Sequence, residues 1–140
     1  LEAYWGVQGG AQGLAKAVAK YTKKSWKEYD GVQIFQKAYE GDKAVLKGLK
    51  DFTDALAAQI YNLNILLDLD VVAIGGGISQ QPLLFEYLEV SIKEMLESIP
   101  LRQVSPYIPE PRITNCKFYN DANLIGALYH YKKMKGEDVA

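Results

Sequence analysis

The sequence predicts an α/β fold with the element order α-α-α-β-α-β-α and two parallel strands. Three observations carry this. Apolar residues at steps of three and four run from Val45 to Leu67, the spacing of one helix face. Next comes Val71-Val72-Ala73-Ile74, a short apolar and mostly β-branched run closed by Gly75-Gly76-Gly77. Such a run suits a strand buried on both faces. A further helical pattern then leads to a second strand-like segment, and a strand–helix–strand unit pairs its strands in parallel through a right-handed crossover.

Taken in order, Gly9 to Lys24 reads as the first helix, with Leu14, Ala17, Val18 and Tyr21 on one face and lysines on much of the other. Gly9, Gly10 and Gly13 weaken its first turn, since glycine in a helix costs up to about 1 kcal/mol relative to alanine. Asp30-Gly31 marks a turn, and Val32 to Tyr39 forms a short helix ending at Gly41. Asp42 is the N-cap of the long helix, whose stripe is Val45, Leu49, Phe52, Leu56, Ile60, Leu63 and Leu67. After the strand and its glycines, Pro82 suits the first position of a helix carrying Leu84, Leu88, Ile92, Met95 and Ile99. Pro100, Pro106, Pro109 and Pro111 then oppose regular structure. Arg112 to Tyr119 reads as the second strand, with Ile113, Cys116 and Phe118 as its apolar members. A last helix runs from Ala122 to Met134, and the end frays from Lys135. Two parallel strands are too few for an independent sheet, so further strands are expected from upstream sequence or another subunit. The opening on Leu1-Glu2, without methionine, likewise predicts a piece of a longer chain.

Composition narrows the function classes. The chain has 140 residues, 49% hydrophobic and 24% charged, with 16 basic and 17 acidic side chains. This describes one globular domain. A net charge of −1 gives no electrostatic footprint for nucleic acid or an anionic membrane. A single cysteine, Cys116, excludes an internal disulfide framework and a multi-cysteine zinc cluster made by this chain alone. It fits a buried small hydrophobe on the second strand. The apolar stretch from Ile60 to Ile78 is interrupted by Asn62, Asn64, Asp68 and Asp70, which opposes a membrane span. His130 lacks companions at ligand spacing and reads as surface or packing. Lys20, Lys23, Lys24 and Lys27 read as a solvated face.

The most informative element is the strand followed by Gly75-Gly76-Gly77, Ile78-Ser79 and a helix. Glycines at the carboxyl end of a parallel strand admit close approach of a ligand, and the next helix offers free N–H groups to an anion. A tight strand-to-helix turn without a ligand explains the same residues, and the run is neither GxGxxG nor GxxxxGK[ST].

Asp70 through Ser79, DVVAIGGGIS, resembles the adenosine-side glycine motif of the ROK family, a group of bacterial sugar kinases and sugar-responsive repressors. Four further stretches agree in order and spacing. Leu1-Glu2-Ala3-Tyr4 is similar to the segment that follows the family's cysteine-rich zinc motif. Ile34-Phe35, Ala38 and Gly41-Asp42 resemble the segment before its long helix, and Asn62 through Asp68 resemble that helix's end. Asn120 through Leu128 are similar to the closing motif. The likeness spans essentially the whole chain. Two departures stand out. Trp5-Gly6-Val7 replaces the usual small residues and serine, and Leu69-Asp70 replaces a common Pro-acidic pair.

The resemblance implies the fold of the hexokinase, Hsp70 and actin clan, two domains of RNase H-like topology with sugar and ATP meeting in the cleft. Residues 1–140 would be the later part of the second, ATPase-like domain. The family's catalytic aspartate, first phosphate-binding glycines and zinc ligands all lie before Leu1, so no catalytic residue and no metal ligand is expected here. Glu2 matches the glutamate that accepts hydrogen bonds from sugar hydroxyls, although near a terminus it also reads as a solvated side chain. Gly75, Gly76 and Gly77 match the loop against the ribose and α-phosphate. Ser79 either donates to a phosphate or caps the following helix, the cap being favoured. Asn120 and Asp121 stand where they would border the adenine pocket, although Asn-Asp ahead of a helix is ordinary capping chemistry.

The implied whole is a cytoplasmic ATP- and Mg²⁺-dependent hexose kinase with a structural zinc held by upstream residues. Its partners would be the sugar, ATP, its own upstream domain and a second copy in a dimer, with no membrane. Residues 1–140 alone are expected to be inactive. A sugar-responsive repressor, which would add nucleic acid as a partner, and a non-catalytic interaction domain are the alternatives.

Overall fold

The computed structural model describes residues 5–103, 105 and 108–137. Among them are six α-helices and two strands: α1 (Trp5–Gln8), α2 (Ala11–Ala19), α3 (Gly31–Tyr39), α4 (Lys43–Leu67), β1 (Val72–Ile74), α5 (Pro82–Glu97), β2 (Ile113–Asn115) and α6 (Ala122–Lys135). The strands pair in parallel, with Val72 opposite Ile113, Ala73 opposite Thr114 and Ile74 opposite Asn115. The α/β class and the parallel crossover are as the sequence predicts.

The helix expected over residues 9–24 is shorter at both ends, and a separate helical turn, α1, precedes it. Gly10 is extended (φ −110°, ψ −171°) and serves as N-cap of α2, which ends at Ala19. Leu14, Ala17 and Val18 are buried as expected. Tyr21 lies beyond the helix, and its hydroxyl donates to Asp51 Oδ2 at 2.8 Å. That hydrogen bond, with slight burial and the carboxylate's charge, raises the phenol above its ordinary value. The start of α3 is fixed by Asp30, whose Oδ1 accepts from Gln33 N at 2.7 Å. Asp42 caps α4 as predicted, its Oδ1 accepting from Ala44 N at 2.9 Å and Val45 N at 3.2 Å.

Helix α4 is the spine. Its first half packs on α2 and α3 through Val45, Leu49 and Phe52, together with Leu14, Val18, Ile34 and Phe35. Its second half packs on α5 through Ala57 and Ile60 against Leu88, Ile92 and Leu96. Each fully buried leucine here contributes roughly 1.5–3 kcal/mol. The crossing with α2 is a backbone contact: a methyl at Gly48 would lie 2.4 Å from Val18 Cα and 2.7 Å from Val18 N. Between α4 and α5, Thr53 Oγ1 donates to Lys50 O at 3.0 Å and sits 2.9 Å from Ser91 Oγ. A hydroxyl has one proton, so Ser91 is the donor to Thr53. Lys50 Nζ pairs with Glu94 of α5 at 2.8 Å and with Asp54. Partial burial pulls this ammonium down, but hydrogen bonds to the two carboxylates, and their charges, outweigh it and raise its pKa. The stabilisation carried by the lysine's shift is therefore full below the ordinary lysine value and fades as pH rises through the higher folded one.

Three packing expectations are corrected. The stripe on α4 is not buried to its end: Leu63 and Leu67 are exposed, while Asn64 is buried. Tertiary packing reaches the last turn only on the Asn64 side. Strand β1 is covered on one face, where Val72 and Ile74 meet the second core cluster, and Ala73 on the other face is exposed. Strand β2 stops at Asn115 rather than Tyr119. Cys116 N still donates to Ile74 O at 2.9 Å, and the chain then turns, with Tyr119 at φ 44°. Cys116 is accordingly half-buried and Phe118 exposed.

Gly48→Ala gains helix propensity of about 1 kcal/mol yet is expected to lower stability by about 1–3 kcal/mol in denaturant unfolding, because two backbones must separate. Thr53→Val is expected to destabilise by about 1–3 kcal/mol, since it strands the Ser91 hydroxyl, and Ser91→Ala by less.

Candidate functional site

The loop after β1 is shaped from within. Gly76 has φ 89° and ψ 174°, a conformation that side chains strain. A short 3-10 turn, Gly77–Gln80, follows. It is closed on the Gly76 carbonyl, which accepts from Ser79 N at 3.2 Å and Ser79 Oγ at 2.7 Å. Ser79 is fully buried. Its hydroxyl shapes the loop, and the expected cap on α5 is not made. Gln81 is the N-cap residue there, its side chain making no capping bond, and Pro82 stands at the first helical position as predicted.

The neighbouring turn supports the loop from behind. A methyl at Gly75 would come within 3.2 Å of Cys116 Sγ and 3.6 Å of Tyr119 O, whereas nothing lies within 4 Å of one at Gly76 or Gly77. The loop is thus packed at Gly75 and open at the next two glycines.

That open side faces a cavity of about 380 Å³, within the range of about 300–1,000 Å³ typical of small-molecule sites. Gly9, Gly10 and Ala11 at the start of α2 form one wall, and Gly31, Val32 and Phe35 of α3 another. Leu56, Ile74, the three loop glycines, Ile78, Gln81 and Leu84 complete the lining. Among the described residues, glycine and apolar side chains make all of its surface but Gln81, so backbone groups supply most of its polarity. A second groove, of about 510 Å³ and including Lys16, Lys20, Trp26 and Asp51, lies between α2 and α4. Its charges are engaged with one another and with the protein: Lys20 pairs with Asp51 at 3.5 Å, and Lys16 Nζ lies 5.3 Å from the Trp26 ring centre. The glycine-lined cavity is the better candidate.

Of the residues singled out in the sequence, Gly75, Gly76 and Gly77 line this cavity. Ser79 lies behind them. Glu2 falls outside the described residues. Asn120 and Asp121 lie in a 3-10 turn, Tyr119–Asp121, ahead of α6, and Asp121 is not in the described cavity lining. Asp121 is exposed and makes no side-chain cap, so the ordinary capping expected of it is absent. His130 is exposed, as expected. The sequence reading missed Gly9, Gly10, Ala11, Gly31 and Gln81. The Gly9-Gly10 pair was the available signal: it read as a weak helical turn but marks the place where a helix begins against the second glycine cluster.

A parallel α/β sheet with a glycine loop at the strand's carboxyl end, facing the start of another helix, is an architecture for ligands that need close backbone approach. The model of the ROK family matches residues 10–134, and the chain belongs to that family. It is 30% identical over 119 residues to a beta-glucoside kinase of Listeria monocytogenes, covering 84% of this chain and 36% of that protein. It is 31% identical over 94 residues to an N-acetyl-D-glucosamine kinase of Pasteurella multocida, covering 67% and 28%. In fold it is similar to a ROK family protein from Streptococcus pneumoniae TIGR4 solved in complex with sucrose, with a TM-score of 0.77, 23% identity, and coverage of 94% of this chain and 43% of that one. The chain thus spans about a third of the length of the curated relatives it matches.

Gly76→Ala is expected to destabilise by about 1–3 kcal/mol through backbone strain alone, because the methyl meets no atom. Ser79→Ala is expected to remove about 1 kcal/mol. Urea unfolding of the two variants checks both.

Proposed function

We propose that this chain is the C-terminal, ATPase-like part of an ATP-dependent sugar kinase, and that its glycine-lined cavity takes the adenosine of ATP. The single observation that carries this is the cavity itself: an apolar enclosure that opens onto Gly76 and Gly77, with the start of α2 opposite. Its apolar walls fit the faces of a base. The bare backbone at the loop fits the ribose and α-phosphate, which need N–H donors at close range. Membership of the ROK family and relatives named as sugar kinases support the same reading.

In this reading the chain's own residues bind and orient. Gly76 and Gly77 hold the nucleotide at the strand's end, Ser79 fixes the loop, and Gly75 seats it against Cys116. Mg²⁺ arriving on the phosphates supplies charge neutralisation for phosphoryl transfer. The general base, any zinc ligands and most sugar contacts would come from further sequence, and Glu2 would add one sugar contact from this chain. Apolar surface left open on α6, including Leu124, Leu128 and Met134, and at the end of α4, including Leu66 and Leu67, supports such an additional part of the fold, since parallel sheets are covered on both faces. A cytoplasmic dimer completes the proposal.

The experiment is ADP release by the full-length gene product with Mg-ATP across glucose, mannose, N-acetylglucosamine, N-acetylmannosamine and β-glucosides. Release with one or two sugars is expected, falling at least about a hundredfold in Gly76→Val, which blocks close approach, and in Glu2→Gln, which converts an acceptor-only group to an amide. Residues 1–140 alone are expected to release none. A folded full-length protein that turns over ATP with no sugar contradicts the kinase reading.

A further inference from the structure

We propose that Gln81 reads the base of the nucleotide and selects adenine over guanine. This rests on the nucleotide reading of the glycine-lined cavity and names the residue that would give it base specificity.

Gln81 is the one residue of the described lining whose side chain carries hydrogen-bonding atoms, every other being glycine, alanine or a larger apolar residue. A cavity that must orient a planar ligand with polar edges therefore relies on backbone groups and this amide. The amide is also uncommitted. Gln81 occupies the N-cap of α5, where a side-chain oxygen ordinarily accepts from the first free N–H groups, yet it makes no such bond and its backbone is extended (φ −94°, ψ 112°). The residue is half-buried at the cavity edge. The surrounding side chains, Val32, Phe35 and Ile78, offer apolar surface suited to the faces of a ring and do not compete for its polar rim.

The chemistry of the amide sets the preference. It presents a carbonyl acceptor beside an NH₂ donor. Adenine offers the matching pair, the N6 amino donor and the N7 acceptor, whereas guanine offers two acceptors, O6 and N7, along the same edge. One glutamine satisfies both groups of adenine but only one of guanine, leaving its own carbonyl facing an oxygen.

The test measures ATP and GTP affinity of the full-length gene product by calorimetry. The wild-type protein is expected to prefer ATP by about tenfold or more. Gln81→Leu removes both functions, and Gln81→Glu keeps the shape but loses the donor. Both are expected to weaken ATP binding by about tenfold. Gln81→Leu is expected to bring the ATP-to-GTP ratio within about threefold of unity, whereas Gln81→Glu, still an acceptor for N6, is expected to keep a preference for ATP. Gln80→Ala, an exposed neighbour outside the lining, is expected to keep the wild-type ratio. An unchanged ratio in Gln81→Leu, or no preference in the wild type, overturns the assignment of Gln81. If Gly76→Val still abolishes ATP binding in that case, the nucleotide reading stands without it. ATP affinity unaffected by Gly76→Val overturns both.

Discussion

The distance between α2 and α4 governs the rest of the molecule, and one hydrogen atom sets it. Gly48 brings its helix so near α2 that a methyl group would fall 2.4 Å from Val18 Cα. At that separation Leu14 and Val18 pack fully against Leu49 and Phe52. The beginning of α2 is thereby carried to the loop after β1. The same helix, farther along, holds α5 through the Thr53–Ser91 hydrogen bond and the Lys50–Glu94 pair. Because α5 starts at the glycine loop, both ends of the cavity depend on α4. Packing contacts a helix-length away from the site thus fix the spacing of its walls.

The loop itself combines three different needs in three adjacent glycines. Gly75 is small because Cys116 and Tyr119 lie behind it, Gly76 because of its positive φ, and Gly77 faces open space. The buried Ser79 hydroxyl donates to the Gly76 carbonyl and fixes that side of the loop. Among the described residues the cavity offers shape and main-chain groups rather than side-chain chemistry, which suits the proposed role of positioning one substrate.

Much of this was legible in the sequence because the signals were local. Asp42 as a cap and Pro82 at the first helical position depend on neighbours within a few residues and stand as read. The β-branched run before the glycines forms the strand, although it is covered on one face rather than two. The α/β class and parallel pairing followed from element order alone, and the ROK likeness from motifs in register. What escaped depended on contacts distant in sequence. Leu63 and Leu67 continue the apolar spacing of α4 but remain exposed, so periodicity overstated burial there. The hydroxyl of Ser79 had two plausible local roles, and the structure gives it a third, back-bonding to Gly76. The site's far wall was invisible because Gly9-Gly10 precedes the loop by more than sixty positions, and only the α2–α4 crossing brings them together. Gln81 carried no signal at all, since the role proposed for it rests on the described side chains around it being apolar.

The most direct measurement is a crystal structure of the full-length gene product with a non-hydrolysable ATP analogue. The account predicts the adenosine enclosed between Gly75–Gly77 and Gly9–Ala11, with its base walled by Val32, Phe35 and Ile78 and its ribose against the bare backbone of the loop. Nucleotide bound elsewhere, with this cavity filled by side chains or by another part of the protein, would contradict it.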